Sequence, residues 1–383
     1  MTKILHVTED HSTGNTGITS AVDSLIHQLL PFFQQEIACI GPEAVQVPNG
    51  ADLHVLKSHG LWKSWRMAAG QRPLLRQLVA QADVIHLHGI WMWIQWAASQ
   101  EAYSASKSVI LTTHGMLEPW IWDCQSWPHR LKKSIYWDRV AQPTFRCAQI
   151  IHALTFSEAE HLRRYFPGNR IEVIPHGLDL SEVNGILSQV KEAQSAKSDY
   201  FLFVGRIHPV KGIDLLIQAF AQLPVNEFKL KIVGPVHASE KKYANKLVRM
   251  VESTGLQQRV EFLGPVQGIE KWRLYRHAWA FCLPSHSEVI GMVNLEAAAS
   301  STPVITTIES GVVADWGRRG GLLIHPNIDS ISNALMQATG WSKAEREDRG
   351  ASLRHLIEDT YSWRVITPRW MSLYKELCSQ SHD

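Results

Sequence analysis

The chain has 383 residues, 45% of them hydrophobic and 19% charged, with a formal net charge of +2. That length accommodates two domains with cores of their own, and the composition is that of a soluble globular enzyme. The near-neutral balance argues against bulk nucleic-acid binding, the five cysteines (Cys39, Cys124, Cys147, Cys282, Cys378) form no Cys-x-x-Cys pair, and no apolar run is long enough to span a bilayer.

Lys3–Thr8 reads as a strand and not as a signal peptide. The loop of residues 9–17 then runs into a helix expected over residues 18–30. A strand, a glycine-containing turn and a helix open a Rossmann-like unit; Gly14 and Gly17 suit either a plain turn or a loop that approaches a diphosphate. Two further strands, within residues 83–89 and 109–115, end at His88-Gly89 and His114-Gly115. Ligands of open α/β sheets sit at the carboxyl ends of strands, so both histidines are well placed for one. His86, inside its strand, reads as structural.

Tryptophan is the outlier at 15 residues, and the excess lies mostly in the first half. One stretch holds Trp62, Lys63, Trp65 and Arg66; the other runs from Trp120, Trp122 and Trp127 through His129, Arg130, Lys132 and Lys133 to Trp137. Aromatic rings interleaved with basic residues suit a bilayer interface with anionic headgroups. The competing account has the rings filling the core or lining an acceptor cleft.

Residues 150–156 form a strand, residues 158–165 a helix, and residues 171–175 a strand. Ile174-Pro175-His176-Gly177-Leu178-Asp179 follows, and the polar residues 181–198 read as a linker. Tyr200–Val204 is the first strand of a second domain. It enters Gly205-Arg206-Ile207-His208-Pro209-Val210-Lys211-Gly212, with a helix from about Ile213. Strands expected over residues 230–233 and 260–264 end at Gly234 and Gly264. A helix over residues 272–277 and an apolar strand over 278–283 lead to the stretch the second domain is organised around. Residues 285–290 are a loop containing Glu288; Ile290 and Gly291 precede a helix over residues 292–300 that starts at Met292 and carries Glu296. The first amides of that helix have no internal partners and suit an anion. Eight positions separate Glu288 from Glu296, so both carboxylates can reach one site. An ordinary βα unit with one solvated and one capping glutamate is the plainer alternative. Strands over residues 303–307 and 321–326, helix from residue 328, and a tail with apolar residues at helical spacing over residues 361–377 complete the chain.

Glu288-x7-Glu296, with Pro284-Ser285 before it and Glu296-Ala-x-Ala-x-x-x-Pro303-Val304 after it, resembles the signature of retaining glycosyltransferases of family four. Gly205-Arg206-x4-Lys211-Gly212 and the Ile174–Asp179 hinge resemble further motifs of that family. The chain departs from the pattern at Ser300-Ser301, where the family has Ser-Gly, and at Glu309-Ser310-Gly311, where it has a Gly-Gly pair.

The resemblance implies an α/β protein of the GT-B fold, two Rossmann-like domains facing across a cleft. The expected division is an acceptor-binding domain over residues 1–178, a nucleotide-sugar-binding domain over 179–360, and a C-terminal helix over 361–383 packing back on the first. It implies a retaining transfer of a hexose-type sugar from a nucleotide-diphosphate sugar to a glycan or lipid-linked acceptor in cell-surface polysaccharide or lipopolysaccharide synthesis. His114 then contacts the donor sugar, and Arg206 and Lys211 offset charge on the leaving diphosphate. Glu288 holds sugar hydroxyls and Glu296 the ribose diol. Gly14, Gly17, Gly205, Gly234, Gly264, Ile290, Gly291 and Met292 line the donor, and His88 serves the acceptor. Since no Asp-x-Asp occurs, no metal and no other cofactor is expected, and the diphosphate would be held by Arg206, Lys211 and helix amides. The expected location is cytoplasmic, with peripheral contact to the inner membrane face. A sugar-nucleotide epimerase or phosphorylase of the same fold, or a nucleotide-sugar-binding protein that has lost catalysis, are the rival readings.

Overall fold

The computed structural model describes residues 1–11, 17–41, 48, 50–57, 65–123, 127–190, 200–224 and 227–380. The chain divides into two compact units, residues 1–177 with 364–383, and residues 178–363.

The first unit contains β1 (Lys3–Thr8), α1 (Gly17–Leu29), β2 (Gln34–Ile40), β3 (Asp52–Leu56), α2 (Arg72–Gln81), β4 (Val84–His88), α3 (Trp93–Ser104), β5 (Ser108–Thr112), α4 (Pro119–Asp123), α5 (Trp127–Tyr136), a π-turn at Trp137–Ala141, α6 (Gln142–Phe145), β6 (Ile150–Ala153), α7 (Phe156–Tyr165) and β7 (Arg170–Val173). Its seven strands are all parallel, in the order β3-β2-β1-β4-β5-β6-β7. Strand side chains alternate between faces. Leu5, Val7, Ile85, Leu87, Val109, Leu111 and Ile151 enter one apolar cluster with Trp93, Ile94, Trp137 and Phe145. The opposite face is unusual for a buried sheet, because it carries His6, His86, His88, Thr112 and His152, all fully or nearly fully buried.

The second unit contains α8 (Leu180–Leu187), β8 (Tyr200–Val204), α9 (Ile213–Ala221), β9 (Lys229–Val233), α10 (Lys241–Ser253), β10 (Val260–Gly264), α11 (Gly268–His277), β11 (Ala280–Leu283), α12 (Met292–Ala299), β12 (Val304–Thr307), β13 (Leu322–Ile324), α13 (Ile328–Thr339) and α14 (Lys343–Thr360). Its six parallel strands run β10-β9-β8-β11-β12-β13. Both sheets thus have the doubly wound order, which reverses beside the first strand of each: between β1 and β4 in one, between β8 and β11 in the other.

The last helix, α15 (Trp363–Gln380), returns to the first unit and lies over the histidine face. The Tyr374 hydroxyl is 2.7 Å from His86 Nδ1, and the Ser108 hydroxyl donates to the Leu377 carbonyl at 3.2 Å. Trp370 packs its ring on His86 and His152.

Two expectations are corrected. The segment after residue 180 is not a linker throughout: Asp179 caps α8 through bonds from the Ser181 and Glu182 amides, and the helix packs on α11. Residues 191–199 lie outside the described residues. The second unit also begins at Leu178 and reaches Trp363, because Leu178 N–H donates to the Tyr361 carbonyl at 2.7 Å and its own carbonyl accepts from Trp363 N–H at 3.3 Å.

Candidate active site

In the second unit the loops after β8 and β11 meet at the point where strand order reverses, the usual ligand position of such a sheet. The β8 loop supplies Arg206 and Lys211. Its turn closes on His208, which caps a short 3-10 turn at Pro209–Lys211, and on Gly212 at φ +64°. Gly212 has no alternative there, since a Cβ would lie 2.2 Å from the Pro284 carbonyl oxygen. That close approach brings Lys211 onto the β11 loop, where its ammonium donates to Glu288 Oε1. The Ser285 hydroxyl donates to the same oxygen at 2.9 Å. Arg206 is exposed and makes no hydrogen bond or ion pair among the described residues.

Glu288 is fixed from its main chain too, its amide donating to the Glu309 carbonyl at 2.8 Å. Gly311, at φ +72°, passes so close that a Cβ would lie 1.7 Å from the Val289 oxygen. The preceding Ser310, in a position the resemblance assigns to glycine, is accommodated inside the protein: its hydroxyl donates to the Thr307 carbonyl at 2.6 Å and accepts from Thr306 at 2.9 Å. Ser301, the other departure, adopts φ +56°, the left-handed conformation a glycine takes freely.

Ile290 and Gly291 are buried at the start of α12. Gly291 approaches its own fold and not an open site, since a Cβ would meet Asn294 Nδ2 at 2.8 Å and Leu283 at 3.0 Å. Its amide is taken by the Ser310 carbonyl, and the Asn294 amide by the Gly291 carbonyl. The amides of Met292 and Val293 keep no partner among the described residues and are the donors left for an anion.

Glu296 lies one side of α12, its carboxylate shared between Lys271 Nζ at 2.7 Å and the Tyr275 hydroxyl at 2.8 Å. Burial, then the Glu296 charge, hold the Tyr275 phenol well above its ordinary pKa, so it remains a donor. Neither partner was identified from the sequence, although Lys271 and Tyr275 stand four apart on α11, the spacing of one helix face. Gly205, Gly234 and Gly264 form a row at the ends of β8, β9 and β10. Gly205 N–H donates to Val233, Gly234 N–H to Gly264, and a Cβ on Gly234 (φ +150°) would lie 1.8 Å from the Gly205 oxygen.

In the first unit Gly17 opens α1 and is exposed, while Gly14 lies outside the described residues, as do Trp62 and Lys63. His114 is half-buried at φ +50°, a conformation rare for residues other than glycine and frequent at functional sites. Glu158, also missed from the sequence, holds the loop around it: one oxygen accepts from the Thr113 hydroxyl and the Gly115 amide, the other from the Leu154 amide. Burial pushes the Glu158 carboxyl up to about 7 against the pull of those three donors. His114 Nε2 is 3.0 Å from His88 Nδ1.

His88 is corrected from an acceptor contact to an internal residue. It is buried, and both ring nitrogens are engaged, one by His114 and the other by His6 at 3.0 Å. Burial pushes His86, His88 and His114 well below the ordinary histidine range, and His6 and His176 down to about 4. One nitrogen from each of His6, His86 and His88 lies within 4.8 Å of the others, close enough to hold a metal. Yet every ring nitrogen of the three already has a protein partner, so a hydrogen-bonded core accounts for the cluster fully.

Most tryptophans of the first half also go inward. Trp93 and Trp137 are buried, and Trp65, Trp91, Trp96 and Trp122 pack against the core. Among the described residues Trp127 is the exception, 74% exposed. No described helix is long and apolar enough to cross a membrane.

Residues 187–348 match the family described as Glycosyl transferases group 1, and residues 31–182 match Glycosyltransferase Family 4. The chain belongs to the family-four glycosyltransferases. A D-inositol 3-phosphate glycosyltransferase of Mycolicibacterium smegmatis is 34% identical over 217 residues, 55% of this chain and 48% of that one. One from Kineococcus radiotolerans is 28% identical over 225 residues, 54% and 52% of the two chains. The chain spans about half the length of the curated relatives it matches. Solved structures share the GT-B fold over almost the whole length. Sucrose-phosphate synthase from Thermosynechococcus elongatus superposes with a TM-score of 0.76 at 19% identity, covering 99% of this chain and 100% of that one. Anabaena HepE, in complex with UDP and glucose, gives 0.74 at 17%, covering 98% and 100%.

Proposed function

We propose that this family-four glycosyltransferase moves a hexose-type sugar, with retention, from a nucleotide-diphosphate sugar to a glycan or lipid-linked acceptor in polysaccharide or lipopolysaccharide synthesis. The observation that carries the reading is the pairing of Lys211 with Glu288 at the switch point of the second sheet, beside the Met292 and Val293 amides, which have no partner among the described residues. A leaving diphosphate gains negative charge as the glycosidic bond breaks, and Lys211, exposed Arg206 and those two amides are donors suited to it. Glu288 orients hydroxyls of the transferred sugar, whose anomeric carbon becomes positive, and Glu296, braced by Lys271 and Tyr275, takes the ribose diol. His114 contacts the sugar. The leaving diphosphate itself assists the acceptor on one face, without a metal; the absence of an Asp-x-Asp motif supports that account.

The UDP complex of Anabaena HepE makes uridine donors the first to try. The inositol-phosphate relatives add a phosphorylated polyol to the acceptors worth testing. The experiment is a panel of nucleotide sugars, read as slow nucleotide release without acceptor and with excess EDTA. Release from one donor is expected; no release from any, or release only after magnesium or manganese is restored, overturns the reading or its metal-free part.

Contact with a membrane surface belongs to the same reading. On α5, Trp127, Leu131 and Ile135 are 74%, 51% and 55% exposed and stand four apart, so they make one apolar stripe. Exposed Arg130 and Lys132 flank it. An apolar stripe with basic flanks suits insertion at an anionic lipid surface, where a lipid-linked acceptor would be found.

A further inference from the structure

We infer that His88, His6 and Gln35 are positioning residues for His114, and that they fix its proton on Nε2 so that Nδ1 offers a lone pair to a hydroxyl of the transferred sugar. The inference rests on the reading of His114 as a sugar contact.

Four side chains stand in line. Gln35 Oε1 is 2.8 Å from His6 Nε2, His6 Nδ1 is 3.0 Å from His88 Nε2, and His88 Nδ1 is 3.0 Å from His114 Nε2. A neutral imidazole has one N–H and one lone pair, so a chain of them has a single direction. The amide oxygen of Gln35 faces His6 and accepts, which puts the His6 proton on Nε2, while Gln35 Nε2 is buried with no partner among the described residues. His6 Nδ1 then accepts, which puts the His88 proton on Nε2. His88 Nδ1 accepts in turn from His114 Nε2–H. Three rings from the far end, the bare nitrogen of His114 is therefore Nδ1, which has no partner among the described residues.

The neighbouring histidines do not interrupt this order. His86, whose ring lies 4.1 Å from that of His88, belongs to a second chain. There the Ile174 carbonyl accepts from His152 Nε2 at 2.8 Å, His152 Nδ1 accepts from the Thr112 hydroxyl at 2.8 Å, Thr112 accepts from His86 Nε2 at 2.7 Å, and His86 Nδ1 accepts from Tyr374 at 2.7 Å. A backbone carbonyl sets that direction, and both nitrogens of His86 are used. Reversing the first chain requires three tautomer changes and a turn of the Gln35 amide together. Meanwhile the left-handed backbone of His114 and the Glu158 bonds on either side of it hold the ring in place.

The test is long-range 1H–15N correlation on the full chain labelled with 15N-histidine, the His114 signals being assigned by their loss in His114→Gln. The expected spectrum has His114 protonated at Nε2 and bare at Nδ1. A proton found on Nδ1 overturns the inference. His88→Phe removes the acceptor for His114, and Gln35→Met removes the acceptor at the far end should the first variant fail to fold. Either should leave His114 a mixture of tautomers and lower turnover at least about tenfold, with nucleotide affinity unchanged, as expected for a misdirected imidazole. A changed tautomer with turnover within about twofold of wild type would also overturn it. A wild-type protein that transfers no sugar would sink the proposed function and yet leave the spectrum standing, so the two failures are distinguishable.

Discussion

Lys211 and Glu288 share a hydrogen bond across the two loops of the switch point, and Ser285 donates to the same carboxylate oxygen. The cation assigned to the diphosphate is therefore partly offset by the carboxylate assigned to the sugar. Lys211→Ala should lower turnover by roughly 2.7–4 kcal/mol of transition-state stabilisation, the loss typical of one preorganised donor. Glu288→Gln should also lower turnover strongly, but it relieves Lys211 of a competing charge, so calorimetry should find nucleoside diphosphate bound more tightly. Equal losses of nucleotide affinity in both variants would contradict this division of roles.

Glu296 predicts a different pattern. A ribose contact is made in ground and transition states alike, so Glu296→Ala should raise the donor KM with little change in kcat. Tyr275→Phe removes one of the two donors that aim the carboxylate and should raise KM in the same direction by about 1 kcal/mol. Steady-state kinetics separates the cases; a fall in kcat at constant KM would place Glu296 in the chemistry instead.

What was legible in the sequence follows from where the physics is local. Apolar runs that end in glycine gave away β8 with Gly205 and β9 with Gly234, because a strand and its turn are specified by neighbouring residues. The Lys271–Glu296 and His6–His88 contacts join residues 25 and 82 positions apart, and no periodicity points to them. The tryptophan stretches misled in part, since Trp65 and Trp122 pack into the core while, among the described residues of those stretches, Trp127 alone stands out. Composition reports that large rings are present; only packing decides which of them face water. The α8 helix was hidden because Leu180, Val183 and Leu187, apolar and at helical spacing, stand at the head of a segment whose remainder is polar; the Asp179 cap and packing on α11 complete it.

Ser301 offers a stability test that does not depend on function. It adopts φ +56°, its side chain makes no hydrogen bond among the described residues, and its carbonyl lies against Gly350. Ser301→Gly should relieve the left-handed conformation and stabilise the second unit by up to about 1 kcal/mol, the gain in the folded state exceeding the added freedom of the unfolded chain. Thermal unfolding should show a higher Tm; an unchanged or lower one would mean that the serine is not strained there.

The histidine face makes the first unit sensitive to acid. Burial lowers His6 and His176 to about 4 and His152 to about 3, all below the ordinary 6.5. Between those values and 6.5 the unfolded chain binds more protons than the folded one, so stability rises with pH across that window and falls as the solution is acidified. Each such histidine contributes at most about 1.4 kcal/mol per pH unit. Glu158 and Glu118, which burial raises to about 7, work in the opposite sense but are outnumbered by the buried histidines, so urea midpoints measured from pH 7.5 down to 5 should still decline below 6.5, and a flat profile would be inconsistent with a neutral buried cluster.

The α5 stripe gives the last prediction. Trp127, Leu131 and Ile135 present apolar surface to water at a spacing of four, and Arg130 and Lys132 stand beside them. The three apolar residues are at least half exposed and belong to no described core cluster, so replacing them by serine should leave the fold and nucleotide binding in place. Sedimentation with vesicles rich in anionic lipid should fall sharply in that variant. Lys132→Glu should weaken binding most at low salt, because its contribution is Coulombic and is screened over about 8 Å at physiological ionic strength. The apolar variant should show the same deficit at every salt concentration. If the wild-type chain fails to sediment with such vesicles even at low salt, the stripe does not serve a membrane; if it sediments equally well with neutral vesicles, the basic flank has no part in the contact.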